Sequence, residues 1–117
     1  MTYISGFVTP VPTASKAAYI RLAEQAGALF QEFGALSVME AWGDKLPDGK
    51  VTDFRRAVQA TADETVVLSW VIWPDRATAD AAEAKMMADP RVKTWEMPFD
   101  GRRMIFGGFD PVLQLGS

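Results

Sequence analysis

In Thr65-Val66-Val67-Leu68-Ser69-Trp70-Val71-Ile72-Trp73, apolar residues occupy both alternating phases and only Ser69 interrupts them. Successive strand residues point to opposite faces, and β-branched and aromatic side chains dominate here. The pattern therefore predicts a central β-strand covered on both sides.

Upstream, Tyr3 to Thr9 predicts a first strand, closed by Pro10-Val11-Pro12 because prolines do not continue a central strand. Thr13 or Ser15 then caps a helix. Its apolar positions Tyr19, Leu22, Ala23, Ala26, Leu29, Phe30 and Phe33 return every three or four residues up to Gly34. From Ala35 to Gly43 the period falls to two, with Leu36, Val38, Glu40 and Trp42 on one side and Ser37, Met39 and Ala41 on the other. Leu46-Pro47-Asp48-Gly49 is turn chemistry. Val51 to Ala60 fits neither period and is predicted as an extended arm or short extra strand.

Downstream, Asp75 caps a second helix running through Ala77, Ala81, Ala84, Met87 and Ala88, with Ala79, Ala82 and Met86 as a competing apolar stripe. Asp89-Pro90 ends it. Met97-Pro98-Phe99-Asp100-Gly101 makes a turn, and Arg102 to Val112 is the last predicted strand, with Gly107-Gly108 marking a bulge or a close backbone approach.

The order β-α-β-β-α-β predicts an α+β, ferredoxin-like fold: one domain over residues 1–117, with a four-stranded antiparallel sheet in strand order 4-1-3-2. Both helices fall on one sheet face, and the other stays bare. A middle strand apolar on both phases would leave a large exposed patch on a lone subunit, so a second copy packed face to face is expected. The expected assembly is a homodimer of the dimeric α/β-barrel kind.

Composition narrows the chemistry. The 117 residues are 49% hydrophobic and 23% charged, enough for a core without covalent staples. Cys and His are both absent, which excludes thiol nucleophiles, His bases, Ser-His-Asp triads, zinc fingers and His-ligated haem. No cofactor or metal is expected. The formal charge is −3 and Lys and Arg are dispersed, which argues against a nucleic-acid partner. Met1 to Gly6 carries no basic and apolar leader, and no run approaches a membrane span, so a soluble cytoplasmic protein is expected.

Several strings together resemble the YbaA-like DUF1428 family of the dimeric α/β-barrel superfamily. They are Tyr3-Ile4-Ser5-Gly6-Phe7-Val8, Pro47-Asp48-Gly49-Lys50-Val51-Thr52-Asp53-Phe54, Val66-Val67-Leu68-Ser69-Trp70, Ala88-Asp89-Pro90-Arg91 and Met97-Pro98-Phe99-Asp100-Gly101-Arg102-Arg103-Met104-Ile105. The resemblance runs almost end to end. It implies the fold and the dimer, and no established activity. It also implies a place for a ligand, between sheet and helices, and some superfamily members are cofactor-independent oxygenases. Two departures stand out: Ser5 replaces an acid frequent in the family, and the stretch between Pro90 and Met97 is short.

With the third strand between the first and second, the phases holding Tyr3, Ser5 and Phe7, holding Glu40 and Trp42, and holding Ser69 meet on one face. That face is the expected pocket, with Tyr3, Ser5, Phe7, Trp42 and Ser69 as ligand-binding candidates. Glu40 is the catalytic candidate, because a carboxylate buried without a cation can act as a general acid or base. The bland alternative is a Glu facing water from an edge strand or paired with Arg. Trp42 and Trp70 suit core or interface packing better than a substrate platform, given the area each indole buries. Ser5 and Ser69 have no evident base to make them nucleophiles. Arg102 and Arg103, on opposite strand phases, offer one anion anchor or a salt-bridged edge. Neither the Asp48 to Asp53 loop nor Gly107-Gly108 matches a calcium or dinucleotide motif. The expected function is a homodimer binding a small organic molecule. The alternatives are an enzyme of the cofactor-independent monooxygenase or proton-transfer type, and a non-catalytic stress or interaction module without a ligand.

Overall fold

The computed structural model describes residues 2–116; Met1 and Ser117, at the two ends of the expected domain, lie outside the described residues. The elements are β1 (Tyr3–Pro12), α1 (Lys16–Glu32), β2 (Ser37–Trp42), α2 (Phe54–Ala57), β3 (Glu64–Trp73), α3 (Arg76–Ala88) and β4 (Ile105–Phe109). All strand pairs are antiparallel and the sheet order is β2-β3-β1-β4, the ferredoxin-like arrangement read from the pattern of β3.

The register places side chains in rows across the helix-covered face. Phe106, Phe7, Ser69 and Glu40 form one row; Gly108, Ser5, Val71 and Val38 flank it on one side, and Thr9, Val67 and Trp42 on the other. Helices α1 and α3 cover this face. Val71 and Trp73 are buried with Ala79 and Ala82 of α3, and Phe30, Phe33 and Val38 pack against them. A second cluster joins Val11, Val67 and Tyr19 of α1, with Trp42 and Phe99 beside it. Gly34, with φ of +111°, takes the left-handed conformation that ends α1. Asp75 caps α3 by accepting from the Thr78 backbone N–H at 2.7 Å. Ser15 stands at the N-cap position of α1 without a side-chain cap bond, after a 3-10 turn over Thr13–Ser15.

Four expectations are corrected. First, β1 runs through Pro10 to Pro12, paired with Val66 to Glu64. The β1–β4 ladder stops at Val8, so beyond it β1 has a free edge where a missing N–H leaves no gap in a ladder. Second, Val51 to Ala60 holds the single helical turn α2, capped by Asp53, which accepts from Arg56 N–H at 2.8 Å. Third, α3 buries the stripe that stood as competitor: Ala79 and Ala82 face the sheet, while Ala77, Ala81, Ala84 and Met87 are exposed. Fourth, the last strand spans only Ile105–Phe109. Asp100 accepts the Arg102 N–H and turns Gly101–Arg103 into a 3-10 turn, while Pro111 fixes its own backbone and restricts Asp110 after the strand. Gly107-Gly108 is a close approach and not a bulge. The β1–β4 register is continuous, and a Cβ on Gly108 would collide with the Tyr3 hydroxyl.

The opposite sheet face is sealed only at one end. There Val66, Pro10 and Val58 are buried, and the Arg103 guanidinium grips both oxygens of the Glu64 carboxylate at 2.7 Å. Across the rest, Met39, Leu68, Ile105 and Phe109 are exposed, with Trp70 and Ile72 half-buried. Among the described residues, no helix is long and apolar enough to cross a membrane.

Candidate functional site

Between α1 and the outer strand β2 the helix does not close on the sheet, leaving an open groove of about 560 Å³. That volume is in the range of small-molecule sites. Its walls include Ile20, Ala23, Gly27, Val38 and Val67, with Glu40 at the sheet and Lys16 and Trp42 at one end.

Glu40 is the chemical centre of this groove. Its Oε1 accepts a hydrogen bond from the Tyr19 hydroxyl at 2.7 Å and another from the Ser69 hydroxyl at 2.6 Å. Both donors address the same oxygen, and Oε2 takes no bond from any described residue. The placement follows from two periods: β2 and β3 put Glu40 and Ser69 directly opposite each other on the helix face, and the apolar stripe of α1 turns Tyr19 down onto them. Burial, then the nearby Glu40 charge and its hydrogen bond, push the Tyr19 phenol well above its ordinary value. Tyr19 is thus held protonated as a donor, and Oε1 as an acceptor.

Glu40 is exposed on an edge strand, as the water-facing alternative had it and against the buried carboxylate, and its partners are hydroxyls and not an arginine. Trp42 packs against the Tyr19 ring, with centroids 6.2 Å apart, and carries the Lys16 ammonium 5.5 Å from its own ring centroid. Phe99 lies on Tyr19 at 5.8 Å. Sequence reasoning placed Tyr19 in the core stripe and missed its hydroxyl. The available signal was a tyrosine among aliphatic core positions, since a buried phenol needs a partner.

The structure brings Glu40, Trp42 and Ser69 together, with Ser69 beneath the groove as a partner of Glu40. It does not bring Tyr3, Ser5 and Phe7 into that groove, although all three share its sheet face. Ser5 accepts the Trp73 indole N–H at 3.0 Å, Phe7 stacks on Phe106 at 6.3 Å, and Tyr3 lies over Gly108. Arg103 serves Glu64 and Asp100, in keeping with the salt-bridged alternative, and Arg102 is exposed.

Gly27 is unusual among the groove residues. It sits inside α1 with no left-handed backbone to explain it, and an added Cβ would make only ordinary contact with Val38, at 3.7 Å. A glycine inside a helix costs about 1 kcal/mol relative to alanine. Neither conformation nor close packing demands it here. Its effect is to widen the groove wall facing Val38.

The fold is similar to that of a dimeric ferredoxin-like protein from an uncultured marine organism, with TM-score 0.65 and 10% identity over 97% of this chain and 98% of that one. It is also similar to SnoaB of Streptomyces nogalater, a cofactor-independent oxygenase, with TM-score 0.53 and 11% identity over 98% of each chain. At such identities the likeness establishes the fold alone. In sequence, the chain is 52% identical to the uncharacterized protein YbaA of Escherichia coli K12 over 115 residues, covering 97% of this chain and 98% of YbaA. Residues 2–101 match the family described as protein of unknown function DUF1428. The chain belongs to the DUF1428 family, as its quoted strings implied.

Proposed function

We propose that the protein is a homodimer, joined through its open sheet face, that binds a small organic molecule in the groove between α1 and β2. The observation carrying the binding reading is Glu40: a carboxylate fixed by two hydroxyls through Oε1, with Oε2 free, beside the apolar groove walls of Ile20, Ala23, Val38 and Val67. A few placed polar groups in an apolar concavity are what orients a small ligand. The dimer reading rests on Met39, Leu68, Ile105 and Phe109, whose exposure in one chain leaves a continuous apolar surface. Tyr3, Ser5 and Phe7, on β1 one strand beyond Ser69, share the sheet face but take no part in this groove.

Thermal melts against a panel of small organic compounds test the binding reading. A binder raises the melting temperature of the wild type through linkage, and Glu40→Gln removes that rise while retaining the fold. A panel without any shift would favour the ligand-free interaction module. Light scattering at micromolar concentration tests the dimer.

A second reading, cofactor-independent oxygenation or proton transfer, is favoured by the free carboxylate oxygen set beside a protonated phenol, and by the fold shared with SnoaB. In it Oε2 of Glu40 takes the substrate proton. Oxygen consumption with electron-rich phenols, lost in Glu40→Gln, is its expected signature; no consumption with any of them removes it.

A further inference from the structure

Resting on the groove reading, we infer that the ligand is an organic cation: a protonated amine whose charge meets Oε2 of Glu40 and whose apolar body lies along α1 over Gly27. Three independent features converge on it.

The first is charge. Glu24 and Glu40 line the groove against a single ammonium, Lys16, and that ammonium is already engaged on the Trp42 face at the groove's end. An anion entering this space meets the Glu40 carboxylate, whereas a cation is attracted by it. The second is hydrogen-bonding sense. Tyr19 and Ser69 both donate to Oε1, so neither hydroxyl hydrogen is directed at a ligand and the group on offer beside them is the acceptor Oε2. A ligand that donates N–H fits. The third is shape. Gly27 clears the helix side of the groove where packing would accept a methyl group, and Ile20, Ala23 and Val38 supply an apolar lane leading from it to Glu40. The Lys16 ammonium over the Trp42 ring shows the same end of the groove holding a cation at 5.5 Å from an aromatic face.

The probes are phenethylamine, its neutral counterpart phenethyl alcohol, and the anion hydrocinnamate, titrated calorimetrically and by amide chemical shifts at neutral pH. The amine is expected to bind about tenfold or more tightly than the alcohol, as a charge-assisted hydrogen bond requires, with hydrocinnamate weakest. Three variants separate the features. Glu40→Gln erases the preference of amine over alcohol. Lys16→Met removes a competing positive charge and tightens the amine by about two- to threefold, the opposite of its effect on an anion. Gly27→Leu fills the lane and weakens amine and alcohol alike, while its melting temperature shows that the helix persists. If hydrocinnamate binds most tightly and Lys16→Met weakens it, the cation assignment is wrong and the groove reading stands. If the amine binds but neither Glu40→Gln nor Gly27→Leu changes it, or if no probe binds, the cation assignment falls; the first of these results also moves the site out of the groove.

Discussion

On the helix side of the sheet, Val67, Val71 and Trp73 of β3 are buried, and the polar pair Ser69 and Glu40 sits in the row between them. On the other side of the same strand, Leu68, Trp70 and Ile72 are exposed or half-buried, and among the strand residues of that face the charged or hydroxyl-bearing side chains, Ser37 and Glu64, stand at its margins. The difference lies in what covers each face. A helix brings hydroxyls as well as methyl groups, so a carboxylate can be kept there by Tyr19 and Ser69. The open face carries neither charge nor hydroxyl in its middle, and in the proposed dimer a like apolar surface covers it.

The strongest way to break this comparison is a charge in the middle of the open face. In the proposed dimer, Leu68→Asp sets two carboxylates into a dry interface, a penalty of roughly 3 kcal/mol or more, which is on the order of a hundredfold or more in the dimer dissociation constant. Light scattering should then report one folded copy, with far-ultraviolet circular dichroism unchanged. A wild type already monomeric at micromolar concentration would mean that the open face tolerates water, and the contrast drawn here would be wrong.

A second test concerns the end of the open face that the chain seals for itself. Hydrogen bonds from Arg103 first, and from the Thr61 backbone, hold the Glu64 carboxyl at about 2, against an ordinary value of 4.5. A folded value below the unfolded one contributes stability that is complete above about pH 4.5 and disappears as the pH falls toward 2. Asp53 behaves alike: the backbone N–H groups of Arg56 and then Gly49 hold its carboxyl at about 2. Glu64→Gln should cost about 2 kcal/mol near neutrality, the loss of charge-assisted bonds to a largely buried carboxylate, and should flatten the acid limb of the melting profile. An acid limb unchanged in Glu64→Gln would assign that stability to the other carboxylates.

Much of this was legible in the residues because the two periods were. The doubly apolar β3 identified the central strand, and the three- and four-residue spacing of Tyr19, Leu22 and Leu29 identified α1. Glu40 and Ser69 were placed on one face by alternation alone, and the register puts them opposite each other. What the sequence hid was set by effects that periodicity does not record. One turn of helix, Phe54–Ala57, is too short to display a 3.6-residue repeat, and its cap Asp53 was read as a loop acid. The packing side of α3 could not be chosen, since both stripes are mostly alanine. Arg102 and Arg103 left the last strand because Asp100 captured a backbone N–H, a local bond that competes with the ladder. Tyr19 resembled any core aromatic until its partner 21 residues away was in view.

The smallest expected effect sharpens the helix side of the comparison. Tyr19→Phe keeps the ring on Trp42 and Phe99 but takes one donor from Glu40, a cost of about 1 kcal/mol for a hydrogen bond whose acceptor remains reachable by water. Its alkaline behaviour is the more telling. The folded phenol titrates above its unfolded value of about 10, so its contribution is complete below that pH and is lost as the pH climbs toward the folded value. Wild type should therefore lose stability in alkali more steeply than Tyr19→Phe. The chain has only two tyrosines, so in a Tyr3→Phe background the ultraviolet absorbance of tyrosinate reports Tyr19 alone. If that absorbance rises at the ordinary value near 10, water reaches the phenol freely, Glu40 is not braced by it, and the groove loses the donor that keeps Oε1 engaged and Oε2 free.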